Sequence, residues 1–166
     1  MQPNFLIIFL AALVPIIVSF IWYNPKVMSA GWMKHTGLAD AELKKANMPL
    51  VFFLTLLFSF MLSMAMMSIV IHQFHLYSII QSEPHAFEKG SAANNDVVAF
   101  MDKYGHNFRT FKHGAFHGTI ASLFIALPII GINALYARKS AKYVLIHVGY
   151  WAISMALMGG IICQFM

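Results

Sequence analysis

Apolar residues gather in four runs, Phe5–Tyr23, Leu50–Ile71, Ala115–Tyr136 and Tyr143–Cys163, and none of the four contains Asp, Glu, Lys or Arg. At about 1.5 Å of rise per residue, runs of this length make helices of roughly 28–33 Å, the thickness of a bilayer's hydrocarbon core. The pattern predicts an all-α membrane protein, with four transmembrane helices in a bundle and residues 1–166 forming a single integral-membrane domain. Prolines punctuate the runs. Pro49 falls in the first turn of its helix, where a missing N–H does no harm, whereas Pro15 and Pro128 lie inside their spans and predict bends.

Small residues recur every four positions on three of the runs. Ala11, Pro15 and Ser19 share a face of the first; Gly114, Gly118, Ser122 and Ala126 run down the third; Ala152, Ala156 and Gly160 run down the fourth. In lipid such faces mark where another helix approaches closely, since dispersion contacts rather than water exclusion drive association there. The second run instead carries Met61, Met64, Ser68, His72 and His75 within an arc of roughly 80° if the helix continues that far.

The polar stretches are unequal. Asn24–Met48 reads as a short connection with a small helix over Ala39–Ala46, and Arg138, Lys139 and Lys142 mark a tight turn between the last two runs. Gln73–Lys112, at 40 residues, is too long for a plain connector. Its first part is expected to extend the preceding helix as far as Pro84. Further on, Asp96 is expected to cap a short amphipathic helix that presents Val97, Phe100, Met101 and Tyr104 on one face and ends at Gly105. This helix would lie on the membrane surface or over the bundle.

Composition supports the bilayer as solvent: 60% of residues are hydrophobic and 10% charged, more apolar side chain than a soluble fold of this size can bury. The net charge of +5 is scattered among the connections without a basic stripe, which speaks against nucleic acid as a partner. The distribution of cations sets a topology instead. Seven lie in the two short connections and four in the 40-residue segment, so the positive-inside rule puts the short connections in the cytoplasm. Both termini and the long loop are then extracytoplasmic. The lone cysteine, Cys163, excludes an intrachain disulfide.

No phosphate-binding glycine loop, nucleophile elbow, zincin helix or paired-cysteine motif is present, so no catalytic residue is assigned and a non-enzyme is the favoured reading. The uncharged spans argue against a proton pump or a charge-coupled transporter. One group carries suggestive chemistry. His72 and His75 end the second run, and His113 and His117 begin the third, so both pairs belong at one membrane face. His113 and His117, four apart, lie about 40° from each other on a helix. Neutral imidazoles at such spacings suit zinc or copper, with bis-histidine haem held by His72 and His117 ranked behind a bare metal. The expectation is that His72, His75, His113 and His117 face a common space, with Glu83, His85, His106 and Arg109 of the loop near enough to join or support them.

Several words of the chain carry a resemblance. Trp22-Tyr23-Asn24-Pro25, Gly31-Trp32-Met33-Lys34, Val70-Ile71-His72-Gln73-Phe74, Asn107–Gly118 and Ile130–Ser140 are similar to an uncharacterised bacterial family, domain-of-unknown-function family 1761. The likeness covers nearly the whole chain, and Lys112–Gly118 is its most specific part. It implies a small four-helix protein of the bacterial cytoplasmic (inner) membrane and supplies no activity to carry over. Two functions follow as expectations. The first is a non-enzymatic membrane protein, a homo-oligomer or small accessory subunit of a membrane complex, whose partners are the lipid bilayer and itself or another membrane protein. The alternative is a metal- or haem-binding membrane protein, in metal handling or redox, that uses the outer-face histidines.

Overall fold

The computed structural model describes residues 3–166, and among them every regular element is helical. Four helical stretches are long and apolar enough to cross a membrane: Phe5–Trp22, Met48–Val70, Phe111–Tyr136 and Ala141–Phe165. They alternate in direction, so the segment between the second and third meets the two chain ends at one end of the bundle.

The first span is two pieces, α1 (Phe5–Ala12) and α2 (Val14–Trp22), divided at Leu13. The division sits where Pro15, lacking an N–H, interrupts the ladder. The Tyr150 hydroxyl donates to the Pro15 carbonyl at 2.9 Å, so the disturbed turn is held against the last span. In the first connection α3 (Ser29–Thr36) ends at Gly37, whose φ of +80° is the left-handed turn a glycine takes without strain. A single turn, α4 (Asp40–Leu43), stands where a helix over Ala39–Ala46 was expected.

The second span, α5 (Met48–Val70), starts earlier than its apolar run because the Asn47 side chain accepts from the Leu50 N–H. It does not continue toward Pro84. Ile71 turns to extended backbone (φ −113°, ψ 96°), and a separate helix, α6 (Gln73–Ile79), follows. The break is held from both sides, for Ile71 is fully buried and the Gln73 amide donates to the carbonyls of Gly105 (3.1 Å) and Asn107 (2.9 Å). The loop helix, α7 (Ala92–Tyr104), begins four residues before Asp96 because the Ser91 hydroxyl accepts from the Asn94 N–H and caps it there.

The third span begins with α8 (Phe111–Ala121), where the Thr110 hydroxyl accepts from the His113 N–H. Its middle widens into a π turn at Ser122–Ala126 before α9 (Leu127–Tyr136). Pro128 lies in the first turn of α9, and the wide turn before it makes room for a ring that would otherwise strike a carbonyl of the preceding turn. The fourth span, α10 (Ala141–Phe165), is the hub of the bundle and touches helices of all three other spans. Its most extensive contact is with α8. There the small face of α8 meets Met155, Gly159 and Cys163, one residue round from the expected face of Ala152, Ala156 and Gly160: a methyl built on Gly114 would overlap the Gly159 carbonyl and Cys163 Cβ, and one on Gly118 would overlap the Met155 carbonyl, while Gly160 packs on the Phe111 ring. Ala11 and Pro15, the small face of the first span, are likewise fully buried within the chain. Met61 and Met64, by contrast, lie on the exposed side of α5.

Candidate metal centre

Three of the four singled-out histidines converge. His72, just past the end of α5, meets His113 and His117 on the first turns of α8, and each offers a ring nitrogen within 4.8 Å of the other two. The Nε2 atoms of His72 and His113 stand 3.0 Å apart, one donating and the other accepting. Ring centroids are 5.1 Å apart for His72–His113, 4.8 Å for His72–His117 and 4.4 Å for His113–His117. His72 is exposed, and the other two are half-buried. Three nitrogens around a tetrahedral ion with bonds of about 2.0–2.1 Å would be roughly 3.4 Å from one another. Small rotations of partly exposed imidazoles connect the two arrangements.

His75 is not in this group. With the helix broken at Ile71, its ring turns back along α5, and its Nε2 pairs with the Ser68 carbonyl at 2.8 Å. The loop residues also have other engagements. His85 pairs with Glu88 at 2.9 Å, both exposed, and the Arg109 Nε donates to the Cys163 carbonyl at 3.0 Å. Among the described residues the ligand-type group is histidine only, with no carboxylate or thiolate in it.

The surrounding frame explains why the trio sits where it does. At this end of the bundle the loop is tied to α10 by Arg109 and by the Phe111 N–H, which donates to the Gln164 side chain at 2.9 Å. Burial inside this frame pulls the Arg109 guanidinium below its ordinary value, although it stays cationic across the physiological range. The single S–H of Cys163 is shared between the carbonyls of Val70 (3.4 Å) and Phe108 (3.3 Å), bringing the end of α5 and the start of α8 to one point of α10. Phe108 itself adopts φ +62°, a left-handed conformation that strains a bulky residue, and its ring packs on His113 at 5.1 Å. Sequence reasoning did not assign Cys163 or Phe108 to this frame, since nothing in their spacing reports a bond across more than fifty residues.

A family model described as protein of unknown function, DUF1761, matches residues 6–163. The chain belongs to that family. The match bears out the resemblance carried by the sequence words, of which Lys112–Gly118 holds two of the trio's histidines. No curated protein and no solved structure matches this DUF1761 chain.

The opposite end of the bundle of this DUF1761 protein holds His147 in an aromatic setting. Its Nδ1 pairs with the Tyr23 hydroxyl at 3.4 Å, and its Nε2 is buried with no partner among the described residues. Tyr23 also stacks on Trp32 at 5.4 Å, and the Trp22 indole donates to the Ile146 carbonyl at 3.1 Å. Trp22 and Tyr23, at the end of the first run, thus fasten the first span to α10.

Proposed function

We propose that this protein is a metal-binding membrane protein whose site is His72, His113 and His117, taking zinc or copper at the outer face. The observation that carries the reading is the mutual approach of three ring nitrogens supplied by two spans. Three neutral nitrogen donors leave the ion's charge uncompensated and a fourth position open, the usual makings of a site that exchanges its ion or holds a further ligand. Haem is disfavoured. Rings ligating opposite sides of a porphyrin iron need the macrocycle between them, whereas His72 and His117 meet edge to face at 4.8 Å. The positive-inside distribution supports the outer face for this end of the bundle.

The oligomer or accessory-subunit reading drew on the small-residue faces. Those of Gly114, Gly118, Ala11 and Pro15 are filled from within the chain, which weakens them as an argument for a partner. Elemental analysis of protein purified from cells without chelator tests the metal reading. One zinc or copper per chain is the expected result, and a content at background after incubation with either ion would refute it.

A further inference from the structure

An apolar cavity of about 620 Å³ adjoins the histidine trio, and the two share a residue: His72 belongs to both. The volume lies within the roughly 300–1,000 Å³ typical of small-molecule sites. Leu76 and Ile79 of α6 form one wall, while Phe100 and Tyr104 of α7 and the strained Phe108 form the other. The loop folds over the cavity without filling it. α6 and α7 touch each other only sparsely, and Ile79, Phe100 and Phe108 stay largely exposed although they are among the most apolar side chains of the segment. Among the described residues no Lys, Arg, Asp or Glu lines the cavity. Of its polar wall residues, Gln73 already donates twice to backbone, and His75 is paired with the Ser68 carbonyl.

Resting on the metal reading above, we infer that this cavity binds the chain of a long-chain carboxylic acid, with the carboxylate as oxygen donor to the metal's open position. A carboxylate brought into so apolar a wall needs a cation, because an unpaired charge is costly there. Lys103 lies outside the wall, its ammonium 5.1 Å from the Tyr104 ring centroid, so the histidine-bound ion, sharing His72 with the wall, is the counter-charge proposed here. A phospholipid would bring two chains to a cavity whose volume suits one. The α5 break at Ile71 sets this arrangement, because it turns α6 aside to form the wall and leaves His72 between chain and ion. Phe108 completes it by contacting the cavity on one side and the His113 ring on the other.

The test uses the full chain in lipid nanodiscs, loaded with zinc, and a palmitic acid analogue bearing a diazirine near its methyl end. Zinc content is measured on the same samples. After photolysis, peptide mapping should place the label on residues 76–108, and removing zinc should lower it by about tenfold, the effect of one good charge-assisted contact. Ile79→Trp, which fills the cavity from an exposed position, should lower labelling while zinc stays bound, and the methyl ester of the probe should label no better than the zinc-free sample. Normal zinc content with labelling indifferent to zinc, to the ester and to Ile79→Trp overturns this inference and leaves the metal site standing. Wild-type protein that holds neither zinc nor, in a parallel loading, copper overturns both. Label spread evenly over the four spans identifies bulk lipid exposure as the only source of contact and overturns the cavity.

Discussion

Gly118→Ala asks whether the bundle depends on backbone contact between α8 and α10. A methyl there meets the Met155 carbonyl and carbon and the Ala156 Cα, all of them backbone atoms that cannot rotate away. Relief therefore requires moving one helix off the other. Overpacking of this kind destabilises by about 1–3 kcal/mol, and commonly more where no side chain can yield. Alanine's better helix propensity returns up to about 1 kcal/mol. Taking the upper end of that cost, because only backbone is met, the net expectation is a loss of about 2 kcal/mol. Gly131→Ala is the internal control, because a methyl on Gly131 has no heavy atom within 4 Å. It gains the propensity and meets nothing, so it should be neutral or slightly stabilising. Unfolding in mixed detergent micelles, followed by the fluorescence of Trp22, Trp32 and Trp151, measures both variants against wild type. Equal midpoints for Gly118→Ala and Gly131→Ala would show that the close approach of α8 and α10 does not hold.

Three further outcomes follow from particular bonds. Gln73→Leu removes both donors to the Gly105 and Asn107 carbonyls; orphaning the buried one at Gly105 costs about 1–3 kcal/mol, so protease nicking of residues 83–107 should quicken while the spans stay folded. Tyr23→Phe leaves the His147 Nδ1 without its hydroxyl partner and should lower the stability to unfolding by about 1 kcal/mol, whereas zinc content at the other end of the bundle stays unchanged. A reporter active only in the cytoplasm, inserted between Gly37 and Leu38, should be active, and one inserted in residues 83–91 should be silent; the reverse result would invert the topology.

The four spans were legible because their hydropathy is uninterrupted over a membrane's thickness, and no tertiary contact is needed to see it. Their ends were less so. Asn47, Thr110 and Ser140 lie outside the apolar runs, yet their side chains cap the helices and extend three of the spans by two to four residues. For the third span this extension brings His113 inside the helix, where the i, i+4 pairing with His117 becomes real. The pairing of His72 with His75 assumed a helix that continued, and the break at Ile71 separates them. That break depends on carbonyls more than thirty residues away, which no local pattern records. The small-residue faces announced close packing but not its partner. The partner is α10 of the same chain.

Zinc affinity across a set of single substitutions tests the central claim most directly. Wild type, His72→Ala, His113→Ala, His117→Ala and His75→Ala are titrated in detergent against a chromophoric chelator. The account predicts one site per chain in wild type and in His75→Ala, and a loss of affinity by about a hundredfold or more in each of the other three, since each removes a direct ligand rather than a supporting one. Equal affinities in all five proteins, or a loss in His75→Ala as large as in His113→Ala, would contradict the three-histidine centre.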